Sequence, residues 1–258
     1  LKHFPILRTR RLTVQLKELS IGDAIAIANM PEHMAEAELA AFIRCITAEV
    51  TAGPTDPADW TVQERTLVVS HYLASVVDDG PDFSLGAGKY SDYLDGAADI
   101  SLAFTQVPIG EVGGDRWEIR HLTGAMAESI ERLQGEIDRL ESRLHWIVGA
   151  MAAQLTRSGE EIPELSADGG YDEWLLGRIN ILIGFPESDF EKLMGSYQAG
   201  REKLHHLFAF TFDDGGIVIL PKQGGAEGLP PARFPVRTCL SKLACSMAGK
   251  PNGFGSQP

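Results

Sequence analysis

Seven histidines, His3, His33, His71, His121, His145, His205 and His206, are the side chains of this sequence best suited to proton transfer or metal ligation near neutral pH. Their spacing points to neither. No two of them stand one helical turn apart around a glutamate, the arrangement that aims two imidazoles at one metal. His205-His206 closes an apolar helical pattern, where a ring is favoured by the helix dipole, so a structural role is expected there. Two acidic stretches, Asp78-Asp79-Gly80-Pro81-Asp82 and Asp168-Gly169-Gly170-Tyr171-Asp172-Glu173, offer oxygen ligands for a hard cation. Neither has the alternating ligands and closing Glu of a calcium loop, and Asp with Gly makes turns for backbone reasons alone. There is no Gly-x-Ser-x-Gly elbow and no phosphate loop ending in Gly-Lys-Ser/Thr. Trp60, Trp117, Trp146 and Trp174 are scattered and read as core. No catalytic, metal-binding or cofactor-binding residue is assigned, and no cofactor is expected.

One pattern is regular. Ile130, Leu133, Ile137, Leu140, Leu144, Ile147 and Met151 follow at alternating three- and four-residue steps, which keeps them on one seam of a helix. Glu131, Arg132, Glu136, Asp138, Arg139, Glu141 and Arg143 lie between them and should face water. With Thr123 as cap, the pattern predicts one helix of about 33 residues, a rod of roughly 50 Å at ~1.5 Å per residue. These seven residues are the candidate interaction surface, toward a partner or between lobes. Ile and Leu alternate as in a parallel dimer, but Glu136 and Glu141 would meet across it with like charge.

The elements around the seam follow from local signals. Residues 12–19 alternate as a half-buried strand, and Ser20 with Asp23 caps a helix over 21–30. A second helix is predicted over 32–50, and Thr61-Val-Gln-Glu64 is a capping box for a third that runs through Val76. Residues 78–114 read as loops with a short helix near 90–94. Residues 116–122 alternate again. Residues 157–170 are an acidic, Gly- and Pro-containing linker, followed by a helical hairpin over 171–183 and 186–207. Asp213-Asp-Gly-Gly216 sits between two apolar runs as a β-hairpin turn. Residues 221–235 read as irregular, 239–247 as a short helix and 249–258 as a tail. Leu16-Lys-Glu-Leu-Ser20 echoes Ile119-Arg-His-Leu-Thr123, each leading into a Gly and an alanine-rich helix. Duplication and shared local grammar explain the echo equally well. The expected fold is α+β and predominantly helical, with two lobes, one long heptad-patterned helix and short β-hairpins. Its divisions are 1–114, 115–156, the linker 157–170, and 171–258.

A net charge of -13 argues against non-specific nucleic-acid binding; Lys2, Arg8, Arg10 and Arg11 read as a solvated arm. Cys45, Cys239 and Cys245 are odd in number and unpaired in spacing, which fits free thiols in a reducing compartment. Neither a signal peptide nor a run of about 18 apolar residues is expected, so no membrane span is.

Two resemblances bear on function. Ile6-Leu-Arg-Thr-Arg-Arg-Leu-Thr-Val14 with Leu19-Ser-Ile-Gly-Asp23-Ala resembles the start of acetyltransferases of the GNAT superfamily. That would imply an enzyme binding acetyl-coenzyme A through an Arg/Gln-x-x-Gly-x-Gly/Ala loop after a strand; Gln198-Ala-Gly-Arg201 departs from it in spacing. More broadly, Val14-Gln-Leu-Lys-Glu-Leu-Ser-Ile-Gly-Asp23, Trp60-Thr-Val-Gln-Glu-Arg-Thr66 and Trp117-Glu-Ile-Arg-His-Leu-Thr-Gly124 resemble segments of baseplate proteins and tail-assembly chaperones of tailed bacteriophages. Taken at its widest, the likeness spans residues 10–155. It implies a non-enzymatic structural protein, made in the host cytoplasm and placed in the virion tail. Its partners would be other tail or baseplate proteins, or further copies of itself. The alternatives are a tail-assembly chaperone absent from the mature particle, the acetyltransferase, or a host-directed adaptor.

Overall fold

Leu12, Val14 and Leu16 turn inward while Thr13 and Gln15 stay half-buried, the period of a strand with one face on a core. In the computed structural model, which describes residues 2–76, 80–99, 106–165 and 170–234, this segment is β2 (Thr13–Leu16). It lies between β1 (Leu7–Arg8) and β3 (Thr47–Ala52) in an antiparallel sheet. Ser20 Oγ accepts from the Asp23 N–H and starts α1 (Ile21–Ala28). Then α2 (Ala35–Ile46) runs directly into β3, which returns to pair with β2. The capping box of α3 (Val62–Val76) is closed on both sides: Thr61 N–H donates to Glu64 Oε2 at 2.9 Å, and Glu64 N–H donates to Thr61 Oγ1 at 3.1 Å.

The same order then recurs. After the short strands β4 (Ser84–Leu85) and β5 (Gly88–Lys89) come β6 (Gln106–Val112), β7 (Asp115–Arg120), α4 (Gly124–Arg132), α5 (Ser142–Gln154), β8 (Leu155–Arg157) and α6 (Gly170–Ile183). β7 is again the middle strand, between β6 and β8. It again feeds a hydroxyl-capped helix, with Thr123 accepting from Met126 N–H. The second helix of each pair again passes without a break into the third strand. Even the register agrees, since Leu16 faces Thr47, the first residue of β3, and Ile119 faces Leu155, the first residue of β8. Leu16 and Ile119 are the positions that the sequence echo aligns. The echo is therefore a repeated strand–strand–helix–helix–strand–helix unit and not only a shared cap. Helix α7 (Glu187–Lys203) and the hairpin β9 (Ala209–Asp213) with β10 (Gly216–Leu220) complete the described chain; the helical hairpin and the β-hairpin fall where the sequence places them.

The long helix is a correction. α4 stops at Arg132 and α5 starts at Ser142. Gly135 sits between them at φ +90° and Ser142 at φ +50°. A glycine in a helix interior costs about 1 kcal/mol against alanine, and Gly135 instead supplies a left-handed turn that folds the seam back on itself. Ile130 then packs on Gly149, where an added Cβ would lie 2.8 Å from Ile130 Cγ2. His145 Nε2 donates to the Ile130 carbonyl at 2.6 Å. Gly135→Ala is expected to lower stability by about 1 kcal/mol in urea unfolding, because alanine strains at that φ. A gain in both stability and helicity would mean that the continuous helix is the better state.

Other differences have local causes. Residues 106–112, read as loop within the Gly- and Asp-rich stretch 78–114, form β6, an edge strand, where Pro108 is tolerated and the register shifts between Pro108 and Gly110. The second helix ends at Ile46, and residues 47–52 become β3. Residues 155–157, read as the end of a helix and the start of a linker, become β8. Inside that linker Glu160 holds Arg178 at 3.0 Å. The buried core is continuous from Phe4 to Ile219, across both sides of residues 157–170, so the division into two lobes is not confirmed. With helices interleaved among small antiparallel sheets, the fold is mixed α+β, as expected, while its being predominantly helical is not confirmed. Among the described residues no helix is long and apolar enough to cross a membrane. Cys239, Cys245, the helix predicted over 239–247 and the tail over 249–258 lie outside the described residues, as do Asp78, Asp79, Asp168 and Gly169.

Candidate functional site

The two repeats meet at their caps. Thr61 and Thr123 form an isolated β-bridge, Val62 N–H donates to Leu122 O at 3.0 Å, and Gly124 N–H donates to Trp60 O at 2.9 Å. One turn into α3, the fully buried Arg65 lies across Gly124. A Cβ there would stand 2.8 Å from Arg65 Cδ, so the glycine after the cap makes room for the guanidinium. Arg65 Nη2 donates to Glu36 O at 2.8 Å; its Nη1 is 3.5 Å from Glu36 Oε2 and its Nη2 3.8 Å from Glu128 Oε1. Glu131, expected to face water, is buried instead. Its carboxylate accepts the N–H groups of Glu36 at 2.8 Å and Ala37 at 3.1 Å. It thus caps α2 from another helix, where Met34 provides no side-chain cap of its own. Burial raises the affinity of Glu36, Glu128 and Glu131 for protons. For Glu131, with the charges of Glu36 and Glu128 adding to burial, the carboxyl is pushed up to about 7.

A second polar row crosses the other side of α3. Glu64 is fully buried, with Arg11 Nε at 3.1 Å and His206 Nε2 at 3.7 Å. Burial acts to raise its proton affinity, but the His206 ring, the Arg11 charge and the Thr61 N–H together hold it below the ordinary carboxylate range. The His206 and His121 rings are 5.7 Å apart, edge to face. His121 opens onto a cavity of about 560 Å³ that also meets Gln63, Gln154, His205, Arg201 and Lys222. His205 Nε2 is 3.1 Å from Asp95 Oδ2. Gln154 donates to Arg120 O at 2.8 Å and accepts from the Tyr197 hydroxyl at 2.7 Å; burial pushes that hydroxyl up to about 12. Arg201 lies 4.3 Å over the Phe210 ring and donates to the Phe210 carbonyl. The row can hold a proton beside a cavity able to hydrogen-bond a small polar molecule. Among the described residues no group of three or more His, Cys, Asp or Glu is placed to hold a metal ion.

The seam residues do not share one face. Ile130 and Met151 are fully buried, and Leu133, Ile137 and Leu140 are buried, all within the chain's own core. Ile147 is half-buried against the same core. Leu144 alone of the seven is exposed, at 58%. Gln198-Ala-Gly-Arg201 lies inside α7, with Gly200 packed on Ile109 and Ile119, so its amides belong to a helix and not to a loop after a strand. Cys45 is half-buried and free. The sequence carried one overlooked signal for the joint: glycine directly after a capping threonine at Gly124, opposite an arginine one turn into another capped helix. His121 and His206 had none, because neighbours this far apart in sequence leave no spacing to read. The chain matches no known protein family, no curated protein and no solved structure.

Proposed function

We propose that this protein is a non-enzymatic structural component of a bacteriophage tail or baseplate, working through packing in a multi-subunit assembly. The observation that carries the reading is the placement of its phage-like segments. Val14–Asp23 and Trp117–Gly124 are the strand–cap–helix steps of the two repeats, and Trp60–Thr66 is the cap that bridges to the second. Their shared residues thus form the frame of the molecule. The buried ions serve that frame too: Arg65, Glu64 and Arg178 each tie separate elements together. A rigid frame of this kind suits a subunit that presents a fixed surface to its neighbours.

Leu144 is the seam residue left for a neighbour. In Leu144→Asp the isolated chain should keep its stability within about 0.5 kcal/mol, as exposed substitutions usually do. Infectious particles carrying it should fall sharply in yield, because a charge would enter a packed contact. Normal particle yield would remove Leu144 from the contact surface.

A further inference from the structure

We propose that Glu131, beside the Glu36 and Glu128 carboxyl groups that flank Arg65 at the joint between the repeats, forms with them a proton-operated lock that seats α2 on α4. The inference is independent of the tail reading and rests on geometry. Glu36 from α2 and Glu128 from α4 share one fully buried guanidinium at long ion-pair distances of 3.5 and 3.8 Å, and Glu131 feels the charges of both. Glu131 reaches from α4 to hold the first N–H groups of α2, so its charge state decides how firmly the two repeats are clasped.

The charged groups that act on the cluster among the described residues come from several elements. From α2 come Glu36 and, at its far end, Arg44; from α3 comes Arg65; from α4 come Glu128 and Arg132. Asp56 and Arg233 act from the flanking loops, and Arg132 is engaged with Asp172 at 2.8 Å. One buried guanidinium faces the carboxyl groups of Glu36 and Glu128, and Glu131 adds a third charge beside them, so the fully ionised cluster carries unbalanced negative charge in a site largely shielded from water. Taking up a proton relieves it.

The direction follows. Glu131 binds its proton more tightly folded than unfolded, with a folded value of about 7 against 4.5, and Glu36 and Glu128 shift the same way. The stabilisation is complete in acid and is lost as pH rises through about 7. Glu64 and Asp172 shift downward, so their effects lie at lower pH, outside the neutral window. For one carboxyl with those two values, linkage makes the opening constant rise about tenfold between pH 6 and pH 8.

The test is amide hydrogen exchange of the full chain at pH 6, 7 and 8, corrected for intrinsic exchange. It is read at the Glu36 and Ala37 N–H groups beside the urea unfolding midpoint. Wild type should lose about tenfold protection at both amides across that range, and Glu131→Gln should lose most of that pH dependence even if its absolute protection differs. Histidines titrating in the same window would leave the slope intact in that variant. Glu128→Gln, which removes a like charge and leaves the cap in place, should move the loss to lower pH. Flat protection in wild type, an unchanged slope in Glu131→Gln, or an unmoved midpoint in Glu128→Gln would each overturn the lock. If Glu131→Gln does not fold, the Glu128→Gln shift decides alone.

Discussion

Arg65→Met should be among the most damaging single substitutions in this chain, costing about 3–5 kcal/mol in urea unfolding at pH 8. The guanidinium is fully buried against the Glu36 carbonyl and carboxyl group, with the half-buried Glu128 beside it. Methionine fills much of the volume and spans the Gly124 gap, so lost packing contributes little. What remains is unbalanced charge, which is expensive where water cannot reach. The loss should shrink at pH 5, because burial shifts the neighbouring carboxyl groups upward and protonation relieves the charge left by the arginine. An equal loss at both pH values would mean that Arg65 acts through packing alone.

Leu140→Asp should cost a comparable 3–5 kcal/mol, roughly what an uncompensated buried charge costs. Leu140 is buried in the turn that connects α4 to α5, and its N–H donates to Ile137 O at 3.0 Å. The informative comparison is with Leu144, four residues on and in the same heptad pattern, where the same change should barely alter stability. A continuous coiled-coil rod would respond to both substitutions alike, through its state of association. A chain that folds the seam inward separates them. Unfolding measurements on both variants, at two protein concentrations, tell the cases apart.

These expectations mark where the sequence was legible. Ser20 with Asp23, Thr61 with Glu64, and Thr123 all cap helices as their local patterns say, because a cap is decided within four residues. The Asp213–Gly216 turn was readable for the same reason. The seam misled because heptad spacing describes any apolar face that ends up buried. Here Gly135, one unfavourable residue inside the pattern, decided the outcome. The repeat was half visible: its strand–cap–helix step echoes in sequence. Its proof lies in two pairings, Leu16 with Thr47 and Ile119 with Leu155, that only the folded chain makes. The polar rows were least legible. Glu131 reads as a solvent-facing residue between seam positions, yet it caps a helix 95 residues away in sequence. His121, at the cavity edge, and His206 behind it are brought together by elements from different parts of the chain.

The most direct test of the structural role is quantitative mass spectrometry of purified tailed-phage particles from the source system, counting this chain against the major tail subunit. A small fixed copy number, of the order of 3, 6 or 12 as closed symmetry favours, is the predicted result. Absence of the chain from mature particles would contradict it, leaving a protein that acts before the tail is finished or outside it altogether.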